Sequence, residues 1–247
     1  MRTQKAFTLI ELLVVISIIA LLIGILLPAL GAARKNANIM KNSTQCRSLV
    51  QAMMTHASSN KDILPGRNKN GEILAAQIQY SQGDGHTVEA RYGIMLENAL
   101  IDSPVMLSPG DSRNVTWTAP SNVLKDNYSY SLLELELSPL RQKIWDGGNI
   151  SSTNPMVCDR LISTQTPTTS NVSGYKSYWA ATNQAYLGSV GYGDAHAEYE
   201  DDPIVKDTRF SAQTCANDNL FVDDGGAGCQ FGSNALMAQS LDSKITP

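Results

Sequence analysis

The chain has 247 residues, 43% of them hydrophobic and 17% charged, with a formal net charge of −4. That length allows one ordinary domain beyond an anchor. The acidic balance supplies no basic footprint, which excludes nucleic acid as a partner.

In chain order, the leader Met1 to Ala6 carries Arg2 and Lys5. It precedes an apolar run, Phe7 to Ala33, whose 27 residues hold one charge, Glu11. About 20 apolar residues cross a hydrocarbon core, so the run can span a membrane. The leader is too short for an ordinary secretory signal, and no A-x-A site follows the run. Positive charge before the run and an acidic chain after it put the amino end on the cytoplasmic side.

A carboxylate in a spanning helix costs roughly 2.5–3.5 kcal/mol near the midplane, less toward the interface, and marks function. Glu11 lies one turn past Phe7. A cut between Ala6 and Phe7 creates an ammonium that Glu11 can neutralise, on its own chain or on a neighbour. The positive end of the helix dipole favours an acid there as well. Pro28, between Gly24 and Gly31, predicts a kink or local melting of the helix.

Residues 34–60 read as an amphipathic stalk. Cys46, Val50, Met53 and Ala57, widened by Leu49, form an apolar stripe, while Asn38, Asn42, Gln45, Gln51 and Thr55 form the wet face. Cys46 is then a buried thiol or a partner for Cys158, and His56 borders the stripe as a surface or packing residue.

Residues 61–247 form the head. Pro65-Gly66 ends the stalk and leads into a loop. Glu72 to Tyr80 reads as a strand or a short helix, and Tyr92 to Ile101 as a short helix. Asn127 to Leu133 and Met156 to Ile162 read as strands, and Ser163 to Ser173 as a loop. Tyr186 to Tyr192 and Ala195 to Glu200 form a hairpin whose Gly193-Asp194 suits a type II′ turn. From Asp201 onward the sequence reads as terminal loop. The expected class is therefore α+β: a long helix on a mostly antiparallel sheet with irregular loops.

Four cysteines occur without C-x-x-C spacing, which argues against zinc and leaves three pairings open. Cys215 and Cys229 bracket a loop-like segment, and closing it would contribute roughly 3 kcal/mol.

The residues K-A-F-T-L-I-E-L-L-V-V resemble the processing site of type IV prepilins and type II secretion pseudopilins. The resemblance implies cleavage after Ala6 by an inner-membrane prepilin peptidase and N-methylation of Phe7. It further implies assembly through Glu11, with other pilin or pseudopilin subunits and an inner-membrane assembly platform as partners. Ala6 departs from the usual Gly and implies slower cleavage. VMLSPGDSR and the Gly-Asp-Ala-His-Ala-Glu stretch resemble segments of the large pseudopilin G-like group. There Ser108 stands for a cysteine, Ala195 for a glycine and Gln184 for a histidine. The resemblance leaves a surface pilus and a secretion pseudopilus unseparated.

No cofactor is expected. A calcium site on Asp218, Asp223 and Asp224 follows only from the resemblance, since EF-hand spacing is absent. An enzyme built on Asp194, His196 or His86 lacks a nucleophile or recurrent ligand spacing. The alternative is a membrane-anchored extracellular binding protein that never polymerises.

Overall fold

The computed structural model describes residues 9–68, 72–74, 78–81, 84–112, 115–135, 139–146, 150–162, 177–179, 186–209, 215–222 and 237–238. The chain divides into two units, Met1–Met40 and Lys41–Pro247. Helix α1 (Leu9–Ser59) contributes to both and runs on through Pro28. Its carboxyl end is closed by Asp62 N donating to Ala57 O (3.0 Å) and Asn60 Nδ2 donating to His56 O (2.8 Å). Lys61 and Asp62 take up left-handed φ values of 59° and 65° there, the conformation that turns a chain out of a helix.

In the second unit five antiparallel strands form one sheet, in the order β4-β3-β2-β1-β7. They are β1 (Tyr130–Leu133), β2 (Pro155–Asp159), β3 (Gly188–Tyr192), β4 (Ala197–Glu200) and β7 (Met237–Ala238). Register is set by pairs such as Ser131 with Cys158, Cys158 with Val190, and Val190 with Glu198. Cys46, Leu49, Val50, Met53 and Ala57 are all buried in this unit, as the stripe predicts. They join Tyr92, Tyr130, Trp145, Val157 and Val190 in one core. Helix and sheet approach closely at Gly191, where an added Cβ would lie 3.1 Å from Val50 Cγ2 and 3.3 Å from Cys46 O. The fold is the expected α+β arrangement.

Several local expectations need correction. The short helix is α2 (Val88–Glu97), starting earlier than read because Thr87 caps it, its side chain accepting from Ala90 N at 3.2 Å. An N-cap oxygen satisfies one of the helix's orphan N–H groups. Ser103–Met106 form a 3-10 turn. Of Glu72 to Tyr80, the described part holds an isolated bridge from Ile73 to Arg67 and no helix. Helix α3 (Pro139–Trp145) went unread because seven residues are too few to display a period. Proline at its first position is preorganised for helix.

The supposed terminal loop contains β5 (Ile204–Thr208) and β6 (Cys215–Asn219), paired as a second, two-stranded sheet. Gln184 and Ser163 to Ser173 lie outside the described residues.

The hairpin is present, but not with the expected turn. Tyr192 N donates to His196 O (3.0 Å) and Ala195 N to Tyr192 O (2.8 Å), so three residues, Gly193 to Ala195, make the loop. Three-residue loops place their last residue in the left-handed region, and Ala195 sits there with φ 64°. Gly193 serves a different need: a Cβ would lie 2.2 Å from Ile150 Cγ2 and 2.8 Å from Ser151 O. Left-handed backbone costs an L residue about 1 kcal/mol. Ala195→Gly is therefore expected to raise the unfolding free energy by about 0.5–1 kcal/mol, read by urea unfolding of the full chain in detergent.

Candidate functional site

Two features of α1 stand out, one on each side of residue 40. In the first unit the helix displays its apolar side chains outward. Leu9 is 79% exposed, Leu21 66% and Leu30 67%, and even Val15 is 45% exposed. The most apolar window has a mean hydropathy of 3.1 and none of it is buried. Exposure on this scale is tolerated in lipid or against other apolar helices, not in water. Glu11 lies in the first turn of this helix and is exposed. By length and composition the helix can cross a membrane. Ala6 and Phe7 lie outside the described residues.

In the second unit the stalk carries a buried polar anchor, and here the reading of the wet face fails. Asn42 is fully buried and Gln45 nearly so, at 8% exposure. Asn42 Nδ2 donates to Ser189 Oγ (2.9 Å) and to the Asp159 carboxylate. Its Oδ1 accepts from Ser108 Oγ (2.7 Å) and from the Tyr130 hydroxyl (2.8 Å). Gln45 Nε2 donates to Pro104 O (3.0 Å) and Leu107 O (3.1 Å). Each amide thus finds partners for atoms that burial would otherwise leave at a cost of about 1–3 kcal/mol apiece. Ser108, which stands where the resemblance has a cysteine, is one of those partners. The outward face keeps Gln51 and Thr55 exposed.

Asp159 is the ionisable member of this cluster. It is fully buried at the end of β2. Ser189 N donates to Oδ2 (2.7 Å), and Trp179 Nε1 to Oδ1 (3.3 Å). Burial pushes its carboxyl up to about 6 from 3.8, against the opposing pull of the Ser189 and Asn42 hydrogen bonds. The folded state therefore favours the protonated acid. Between about pH 4 and pH 6 the native chain binds more protons than the unfolded one, so stability falls as pH rises through that window. The loss amounts to about 3 kcal/mol, from a shift of roughly two units at 1.36 kcal/mol each. Unfolding free energies of wild type and Asp159→Asn at pH 4 and pH 7 test this: wild type should lose stability relative to the variant on the way up.

The remaining sequence candidates fall into separate places. Asp194 and His196 form a local pair within the hairpin turn, and His196 N donates to Asp194 Oδ1 (3.0 Å). His86 sits in the turn before α2, where its backbone N–H donates to Asp84 Oδ1 (3.0 Å). Burial lowers its pKa. Asp218 belongs to β6 instead of an open loop, is 2% exposed, and accepts from Thr208 Oγ1. Asp223 and Asp224 lie outside the described residues. No group of three His, Cys, Asp or Glu arranged to hold a metal occurs among the described residues. Cys46 and Cys158 are buried free thiols, and burial pushes both thiols up. Cys215 is disulfide-bonded; Cys229 lies outside the described residues.

An outward-facing apolar helix with one first-turn acid after a short basic leader defines a class. Residues 1–27 match the family model described as the prokaryotic N-terminal methylation motif. Over 38 residues the chain is 66% identical to the type IV wide pilus major component PilA4 of Thermus thermophilus. That stretch covers 15% of this chain and 29% of the relative, so the chain spans less than a third of the relative's length. No solved structure matches the chain.

Proposed function

We propose that the chain is a structural subunit of a type IV pilus-class filament. The observation that carries this reading is the apolar, outward-facing first half of α1 with Glu11 in its first turn, on a segment that matches the methylation motif. Residues 1–6 are the leader, 7–33 the membrane and assembly helix, 34–60 the stalk and 61–247 the head. Before assembly the chain sits in the bacterial inner membrane with its head extracytoplasmic. Prepilin peptidase cuts between Ala6 and Phe7 and methylates the Phe7 amine. An inner-membrane assembly platform then moves the helix from lipid to the company of neighbouring helices. Glu11 sets axial register by pairing with a Phe7 amine. Pro28 supplies a point where the helix yields on packing. The chain carries no catalysis of its own.

In this reading Cys215, which is disulfide-bonded, pairs with Cys229. The PilA4 likeness favours a surface pilus, while the Ser-Pro-Gly-Asp and Gly-Asp-Ala-His segments favour a type II secretion pseudopilus. Immunogold labelling of whole cells separates the two, since only a pilus extends far beyond the cell surface. The subunit reading itself is tested by mass spectrometry of the chain's amino terminus from its native host. An N-methylated Phe7 is expected. A chain still starting at Met1 would leave only a tethered ectodomain.

A further inference from the structure

The stalk and the sheet edge carry opposite charge on opposite sides of the head. Between Glu11 and Asp62 the sequence contains no acid, yet it contains Arg34, Lys35, Lys41, Arg47 and Lys61. At 3.6 residues per turn, Lys41, Thr44, Arg47, Gln51 and Met54 fall on the half of the stalk turned away from Leu49 and Met53. All five are exposed, Met54 to 41%. Among the described residues, no carboxylate pairs with Lys41 or Arg47. This helix face carries basic and apolar groups and is exposed.

One edge of the sheet is β4. Glu198 opposes Val190 and Glu200 opposes Gly188, so both acids share one face of the sheet. The alternate residues of β3 meet the stalk: Ser189 Oγ lies 2.9 Å from both Asn42 Nδ2 and Ser43 Oγ, and Gly191 faces Val50. The two glutamates therefore point away from α1. The Glu198 side chain is 62% exposed and that of Asp194 46%, and Asp201 and Asp202 follow as exposed residues. Partial burial and the neighbouring Glu198 and Asp201 push the Glu200 carboxyl up, and His196, paired with Asp194, comes within 4.0 Å of Glu198 Oε1.

We propose that the basic outer face of the stalk, centred on Lys41 and Arg47, docks on the acidic β4 edge, Glu198 to Asp202, of a second copy of this chain. The reading rests on the filament-subunit assignment and gives it a head-level contact. The two patches face opposite ways, so a single head cannot satisfy both. A contact between two different patches on identical subunits is heterologous, and when its rotation does not close it propagates as an open helix. Charge complementarity fixes which copy docks where and suppresses wrong registers, because juxtaposed like charges are strongly disfavoured.

The test compares sheared filament yield with membrane-resident, processed chain in an assembling host. It uses full-length wild type, Lys41→Glu/Arg47→Glu, Glu198→Lys/Asp201→Lys, and the four substitutions combined. Each reversed pair alone is expected to cut filament yield about tenfold or more, with the membrane pool unchanged. The combined variant, with charges exchanged, should recover to within about threefold of wild type. Recovery cannot come from variants that merely misfold. Single-patch variants that assemble like wild type overturn the interface, as does a combined variant no better than either pair. Stalk reversal that instead depletes the membrane pool points to anionic lipid under the basic face, and also overturns it. A processed wild type that never forms filaments sinks the subunit assignment itself, an outcome distinct from all of these.

Discussion

Asn42→Ala should lower the unfolding free energy of the head by about 3 kcal/mol. The substitution deletes one amide but leaves four groups short. Ser108 Oγ and the Tyr130 hydroxyl each lose an acceptor, Tyr130 keeping Gln45 Oε1 at 3.1 Å, while Ser189 Oγ and the Asp159 carboxylate lose a donor. A water entering the vacated space would answer some of them, which holds the expected cost below a simple sum over partners. Gln51→Ala, on the exposed face of the same helix, should stay within about 0.5 kcal/mol of wild type. Asn42→Asp sets a second carboxylate against Asp159, so its penalty should grow as pH rises above 6 and shrink in acid. Urea unfolding in detergent at two pH values reads all three. An Asn42→Ala chain as stable as Gln51→Ala would remove the anchor from the account of this fold.

The second large effect concerns Glu11. Glu11→Ala should leave cleavage after Ala6 largely intact, because the cut requires only the leader and the start of the apolar run. Filament yield should fall about a hundredfold or more, since an ammonium left without its counterion in apolar surroundings costs about 3–5 kcal/mol. Removing the acid also makes the free helix more comfortable in lipid, so the membrane pool should hold steady or rise. Yield of sheared filament against membrane-resident processed chain measures the ratio. Filaments at wild-type level would end the pairing argument while leaving the processing argument standing. The two substitutions therefore probe independent things, the fit of stalk to sheet and the fit of helix to helix.

The parts of the fold that were legible beforehand are those decided by a few neighbours in sequence. The stripe Cys46, Leu49, Val50, Met53 and Ala57 is buried as its spacing predicts, because a helix brings residues three and four apart onto one face whatever it packs against. The strand at 130–133 lies within the segment read for it, and the one at 155–159 overlaps its segment, starting one residue earlier. The hairpin was found and its turn misassigned. Gly193 looked like the residue that needs positive φ, when the true demand on it is room beside Ile150 and Ser151. Helix α3 was too short to show a period. The acid-rich stretch after Asp201 looked like loop because its strands β5 and β6 carry polar residues on both faces, with Thr208 Oγ1 donating to Asp218 across the pair.

The anchor was not legible at all. Asn42 and Gln45 looked like wet-face residues, as amides on a helix next to a stripe normally are. Only the return of β2 and β3 to the stalk puts a carboxylate 117 residues away and a hydroxyl 147 residues away within reach of Asn42. No periodicity reports a partner at that separation. The sequence alone decides the amino-terminal segment of this protein: a run of apolar side chains with one acid behaves the same way in any context, since its solvent is lipid or its own kind. Which polar groups the head buries, and how its charges divide between stalk and sheet edge, was decided by tertiary structure, because burial and hydrogen bonding are properties of pairs that only the folded chain brings together.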